Sequence, residues 1–261
     1  MGKGNSALLE MPGGINFLID GGGFSDNSIF DVGARVIAPF LWRKKIKTVD
    51  TLILSHPDSD HLNGLLYIVE NFHVQRVLTN NEAANIKSYQ RFMEIIEREN
   101  IHLPRFMDLP RMQTINGVQL HFLYPPEDFL QRKKERWRNP NNNSLVVKAV
   151  FGSKSILFPG DIQAMAEREL VSMGKNTLQS TVLIAPHHGG RSSSTTEFLD
   201  TVKPELVIIS SGWKTSYKFP HPSVLKRYKE RGCRILRTDC NGAVMMVTDG
   251  RSLKIKPAIK D

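Results

Sequence analysis

The sequence predicts an α/β fold in which strands and helices alternate, and three observations predict it. The chain reads as two blocks, one before and one after about residue 125, in which short apolar runs of strand length are separated by segments of helical spacing. Every cluster of chemically active residues stands directly after one of those apolar runs, where a sheet delivers its loops to one edge. With 261 residues and 40% hydrophobic content the chain has material for a substantial core, which sets it apart from disordered sequences. A single domain over 1–261 is the expectation.

In the first block, strand-like residues on either side of Met11-Pro12-Gly13-Gly14 predict a β-hairpin. It ends in Asp20-Gly21-Gly22-Gly23, where glycines let the backbone approach another element or take positive φ. Val32, Val36, Ile37, Phe40 and Leu41 recur at helical spacing, and Trp42-Arg43-Lys44-Lys45 places positive charge at that helix's C-terminal end, compensating its dipole. Residues 49–54 read as a buried strand, 65–69 begin a helix, and 74–78 return as a strand. An amphipathic helix over 85–98 carries Ile86, Tyr89, Phe92, Met93 and Ile96, and 118–124 is the next clear strand. His73, His102 and His121 have no motif around them and read as surface or structural residues.

The stretch that organises the chain follows the strand at 49–54: Ser55-His56-Pro57-Asp58-Ser59-Asp60-His61-Leu62-Asn63-Gly64. Imidazole nitrogens and carboxylate oxygens bind divalent metals, and two of each within residues 56–61 concentrate negative charge that a cation neutralises. In an extended segment His56, Asp58 and Asp60 point one way, while His61 turns off as a helix begins, so one loop can serve two metals. A lone H-x-D reads as a solvated polar turn; H-x-D-x-D-H at a strand end does not.

In the second block, Gln131-Arg132-Lys133-Lys134-Glu135-Arg136-Trp137-Arg138 is a basic patch with an embedded indole, suited to phosphate contact plus base stacking, or else a solvated loop. Asn139-Pro140-Asn141-Asn142-Asn143-Ser144 leads into a strand at 145–151, and Gly152-Ser153 turns into a strand that ends at Asp161. Asp161 is also placed to cap a helix over 162–171. A strand at 181–185 delivers Pro186-His187-His188-Gly189-Gly190, and Arg191 with residues 192–195 offers phosphate donors or helix caps before a helix over 196–202. After a strand at 205–210, the loop 212–222 mixes Lys214 and Lys218 with aromatics and ends in His221-Pro222. A helix over 223–231 stops at Gly232, and a strand, the Asn241-Gly242 turn and two further strands close the chain.

These residues resemble the metallo-β-lactamase superfamily, whose signature is H-x-H-x-D-H, with Asp58 standing where the second histidine usually is. The variant H-x-D-x-D-H, with N-x-S-L-V at 142–146 and His-Pro at 221–222, is similar to the ComEC competence-channel family, whose soluble C-terminal domain is thought to degrade DNA. Lys3 departs from the family's usual Gln, and the histidine that normally serves the first metal from the 139–144 loop is absent. The resemblance implies an αββα sandwich, two mixed sheets faced by helices with the site along one edge. It implies one metal on His56, Asp58 and Asp161 with Asn143 or water, and a second on Asp60, His61, Asp161 and His187, with Asp161 bridging. His188 becomes a residue near the ligands or the substrate, and His221 a phosphate contact or proton shuttle, with a direct metal bond as the lesser option, and Asp60, His188 and His221 carry the catalysis. Two divalent ions lower the pKa of water and clamp the oxygens at phosphorus; an oxygen-rich set favours manganese, and zinc is possible.

A net charge of +9 and a pI near 9.6 favour a polyanionic partner. Arg132, Lys133, Lys134, Trp137, Arg191, Lys214 and Lys218 are the expected DNA contacts. Cys233 and Cys240 alone exclude a disulfide scaffold and a Cys-rich zinc site. No run of about twenty apolar residues and no signal-like amino terminus is present. The expected function is therefore that of a metal-dependent DNase, an extracytoplasmic (periplasmic) soluble domain whose bacterial inner-membrane parent carries a transmembrane channel. The alternatives are a non-catalytic DNA-gripping module and a small-molecule phosphodiesterase of the same fold.

Overall fold

The computed structural model describes residues 4–132, 134–212 and 219–260; Lys3, Lys133, Lys214 and Lys218 lie outside them. The chain forms two compact units, Met1–Leu109 and Pro110–Asp261. The division precedes residue 125 because the strand at 118–124 pairs with its neighbours in the second unit.

The first unit contains β1 (Ala7–Met11), β2 (Ile15–Ile19), β3 (Thr48–Val49), β4 (Thr51–Ile53), β5 (His73–Val74) and β6 (Val77–Leu78). β1 and β2 form the predicted hairpin, Met11 opposite Ile15, and the sheet continues in parallel through β4 to β6. β3 and β5 make a separate parallel ladder. Its helices are α1 (Ala38–Arg43), entered through a π-turn at Gly33–Ile37, α2 (Ser59–Asn71) and α3 (Lys87–Arg98). Leu18, Leu52 and Val77 of the sheet pack with Leu62, Leu65 and Val69 of α2 and Phe92 and Ile96 of α3. Ile86, predicted on the apolar face, instead precedes α3 and is exposed. α2 starts at Ser59, earlier than its apolar residues indicated, because an acidic first turn suits the positive end of a helix without adding to the hydrophobic periodicity.

The second unit is built on a mixed sheet. Its strands are β7 (Met112–Ile115), β8 (Val118–Tyr124), β9 (Val146–Phe151), β10 (Lys154–Phe158), β11 (Val182–Ile184), β12 (Leu206–Ile209) and β13 (Arg234–Arg237), in the order β13-β12-β11-β10-β9-β8-β7. β7 to β10 pair antiparallel and β10 to β13 parallel. Parallel pairing needs crossover helices, supplied by α4 (Ala164–Met173) with the short α5 (Lys175–Leu178), by α6 (Thr196–Val202) and by α7 (Pro222–Glu230). Leu157, Leu183 and Val207 of the sheet pack with Leu170, Phe198 and Tyr228 of those helices.

Asn241-Gly242 does not turn a hairpin. Asn241 ends the single turn α8 (Thr238–Asn241), where its buried Oδ1 accepts from Arg237 N–H at 3.0 Å. The closing hairpin of β14 (Val244–Thr248) and β15 (Leu253–Pro257) turns at residues 249–252 instead, with Asp249 accepting from the N–H groups of Arg251 and Ser252. Among the described residues no helix is long and apolar enough to cross a membrane.

Candidate metal centre

In the first unit the chemistry is organised by Asp20, which sequence reasoning left among the glycines. It ends β2 in the left-handed region, φ 56°, and is buried. Its carboxylate accepts from Ser55 N–H at 2.7 Å and Ser55 Oγ–H at 2.8 Å, and lies 2.8 Å from Nδ1 of His61. A ring nitrogen facing a carboxylate carries the proton, so His61 Nε2 keeps the lone pair a metal needs. The signal was present in the sequence: an acid closing an apolar run immediately before glycines. Those glycines are required, since a Cβ on Gly64 in α2 would lie 2.0 Å from Gly21 O, and Gly21 N–H donates to His61 O at 2.7 Å.

His56 is as buried as His61, and their rings stand 4.1 Å apart between centroids. The predicted alternation reaches only as far as Asp58, because Asp60 already lies in α2. His56 points into the unit while Asp58 and Asp60 are partly exposed, because Pro57 and the start of α2 at Ser59 end the extended segment after Asp58. Asp58 Oδ2 remains 3.8 Å from His56 Nε2.

In the second unit Asp161 follows β10, is buried, and donates its N–H to Ser144 Oγ at 3.0 Å. It is not the cap of α4, whose capping position is Gln163. His188 follows β11 with Nδ1 3.0 Å from Ser210 O, which fixes the proton there, and Nε2 3.4 Å from Asp161 Oδ2. The resemblance gave the ligand role to His187; His188, not His187, stands among the candidate ligand group. His187 is partly exposed, with Nδ1 3.4 Å from Ser192 Oγ and its ring 5.5 Å from that of Phe219.

Both histidines are left-handed, φ 50° and 53°, a conformation that costs about 1–2 kcal/mol per residue. The loop is therefore held from several sides. Ser193 Oγ–H donates to Pro186 O and Gly190 O, and Ser194 Oγ lies 2.6 Å from Tyr228 Oη. Arg227 donates to the carbonyls of Ser194 and Ser193 at 2.7 and 2.8 Å. Glu167 accepts from the N–H groups of Ser194 and Thr195, and burial pushes its carboxyl up to about 7 against those donors and Arg227. Ser193 and Ser194 are thus internal braces rather than phosphate donors, and Thr195 is the cap of α6.

Part of the basic patch is turned inward, while Lys134 and Arg136 are exposed. Arg138, buried, binds Glu169 through Nη2 at 3.0 and 2.8 Å, lies 4.5 Å over the Trp137 ring, and reaches Asn143 Oδ1 at 3.3 Å. Arg132 bonds Glu135 and Glu169 at 2.6 Å each. The DNA contacts expected of Arg132 and Trp137 give way to an ion-pair network and to packing of the indole on the core. A guanidinium offers only donors, so the Asn143 oxygen is turned to Arg138, which opposes its use as a metal ligand. Lys134 and Arg191 are exposed. His221 accepts from Ser223 N–H at Nδ1, 3.2 Å, which leaves Nε2–H as a donor.

The Metallo-beta-lactamase superfamily profile matches residues 1–213. The chain belongs to the metallo-beta-lactamase superfamily. Its α/β architecture of mixed sheets and helices is that of the superfamily. The chain is 30% identical over 215 residues to ComE operon protein 3 of Bacillus subtilis, covering 82% of this chain and 26% of that protein. It is 32% identical over 221 residues to Competence protein ComA of Neisseria gonorrhoeae, covering 83% and 28%. It therefore spans about a quarter of the length of these relatives. Igni18, a metallo hydrolase from Ignicoccus hospitalis, is similar in fold with a TM-score of 0.53 over 98% of this chain and 96% of its own, at 12% identity.

As a member of this superfamily, the chain offers Asp60 and His61 from its first unit and Asp161 and His188 from its second as candidate metal ligands. The donor chemistry fits a divalent ion. Each histidine has its outer nitrogen committed to an oxygen acceptor, Asp20 or Ser210, the arrangement that orients metal-binding imidazoles.

Proposed function

We propose that the chain is the metal-dependent nuclease domain of a DNA-uptake protein, hydrolysing the phosphodiesters of the strand that is not transported. The observation that carries the reading is the pair of oriented imidazoles, His61 on Asp20 and His188 on Ser210, in a chain whose relatives are competence proteins. In this reading the first unit would offer His56, Asp58, Asp60 and His61, and the second Asp161 and His188, as ligands for manganese or zinc. Bound divalent ions supply charge stabilisation at phosphorus and lower the pKa of water. The chain's residues do the rest: Asp20 and Ser210 fix the tautomers, and His221 presents Nε2–H to a phosphate oxygen. Lys134 and Arg191, with Lys133, Lys214 and Lys218, draw the polyanion in. The parent protein supplies a transmembrane channel and holds this domain on the periplasmic side.

The test is incubation of the purified chain with labelled single- and double-stranded DNA under manganese, zinc or chelator. Metal-dependent cutting that chelator stops is expected. DNA binding without cutting under any divalent metal supports the gripping module, and turnover of bis(p-nitrophenyl) phosphate with little affinity for DNA supports the small-molecule phosphodiesterase; either result overturns the nuclease.

A further inference from the structure

The loop at 56–61 opens on a groove of 610 Å³ that lies wholly within the first unit. Its lining includes Asp58 and Asp60, Lys87 and Arg91 of α3, and Asp26 and Asn27 of the segment before α1. Lys87 and Arg91 are one helical turn apart, so they share a face, and both are exposed. Arg91 commits Nη2 to Glu70 at 2.7 Å, which leaves a five-donor guanidinium with further N–H groups to offer. Lys87 has no carboxylate partner among the described residues. The capping position of α3 is Ile86, whose side chain supplies no acceptor, so the first-turn N–H groups add to the positive character of this part of the lining. The lining from residues 26–27 has the reverse character. The Asp26 carboxylate is held in place by Ser28 N–H at 2.8 Å, and Asn27 is anchored through Nδ2 on Asn63 O at 2.9 Å.

A ligand that fits such a lining is anionic along one edge and rich in hydrogen-bond donors along the other. A single strand of DNA has that asymmetry: phosphates on one side, and on the other base amino and ring N–H groups that pairing would occupy in a duplex. We propose that this groove seats an unpaired DNA strand leading from the metal loop, its phosphates on Lys87 and Arg91 and its base edges toward Asp26 and Asn27. The identity of the ligand rests on the nuclease reading; the charge asymmetry does not.

The test measures anisotropy of a labelled single-stranded oligodeoxynucleotide across a salt series, with chelator present so that nothing is cut. Lys87→Glu/Arg91→Glu is compared with Lys226→Glu/Lys229→Glu, which makes the same charge change on exposed positions of α7. The groove variant is expected to lose at least about tenfold in affinity near 0.1 M salt, and its slope of log affinity against log salt to fall by about 1.4, two contacts at about 0.7 each. The α7 variant is expected to lose less than about twofold. The milder Lys87→Gln/Arg91→Gln shifts the slope in the same direction, and equal melting temperatures exclude a folding defect. Equal losses in the groove and α7 variants, or no change of slope, overturn the groove. A chain that binds the strand through Lys87 and Arg91 yet cuts nothing under manganese or zinc keeps the groove and removes the nuclease. One that cuts DNA with an unaltered slope in the groove variant does the reverse.

Discussion

The segments at 55–61 and 131–138 are both dense in charge, and the fold uses them in opposite ways. In the first, Asp20 and the glycines after β2 hold His61 rigidly while Asp58 and Asp60 stay partly exposed beside a groove. In the second, Glu135 and Glu169 turn Arg132 and Arg138 inward, and the indole between them packs on the core. Charge in a sequence is therefore not the same as charge available to a ligand. What decides is whether carboxylates from elsewhere in the fold reach it first, and Glu169 lies on α4, far along the chain from the patch it neutralises.

The largest effect separating the two regions is expected from Asp60→Ala. If the chain is the proposed nuclease, removing Asp60 should lower DNA cleavage by about 10²–10³-fold, the scale of losing one charge-stabilising group, while DNA binding persists on dispersed Lys and Arg. Cleavage assays beside anisotropy check it; retained cleavage removes Asp60 from the centre. Next comes Arg138→Ala. Removing one partner of a buried pair should destabilise the chain by about 3–5 kcal/mol, read from denaturant unfolding, with Glu169 left partly buried on Arg132 and the Tyr124 hydroxyl. If the loop were a solvated cationic face, the same change would shift stability by no more than about 0.5 kcal/mol. Asp20→Asn is expected to rank third, weakening metal affinity about 10–100-fold by titration, because the amide no longer holds the His61 tautomer as a carboxylate does.

A pH dependence sharpens the comparison from the other histidine loop. Glu167 keeps its proton in the folded chain up to about 7 and releases it near its ordinary 4.5 when unfolded. Between those values the folded state holds more protons, so stability should fall as pH rises from about 4.5 to about 7. Glu167→Gln should flatten that fall in thermal melts; an unchanged pH profile would place the titration elsewhere.

How much of this was legible follows the same physics. The hairpin at 7–19, the strands before each cluster and α3 were readable because apolar periodicity reports burial directly. The H-x-D-x-D-H stretch and Asp161 were readable as donors because their side-chain chemistry is local. The choice between His187 and His188 was not, since it depends on two left-handed residues and on Ser210, a neighbour brought by β12. Asp20 was visible but unread, its partners Ser55 and His61 lying across the sheet. The start of α2 was misjudged because charged first-turn residues carry no hydrophobic period.

The smallest effect is expected at Trp137, and it is the most direct check on the second region. A base stacking on an exposed indole is worth about 1–3 kcal/mol by alanine substitution. Here the Arg138 guanidinium lies 4.5 Å from the ring centroid, and the side chain packs on the core cluster that includes Tyr124 and Leu170. A base would have to displace Arg138 from Glu169 to stack on that side, trading a largely buried ion pair for one stacking contact. Trp137→Phe keeps a ring for Arg138 and the core, so it should change single-strand affinity by less than about 0.5 kcal/mol, within the range of substitutions away from any binding feature. Anisotropy on the unmutated chain and the variant measures it. A loss of about 1 kcal/mol or more would show that the indole reaches DNA, and that the loop at 131–138 opens in the presence of a strand.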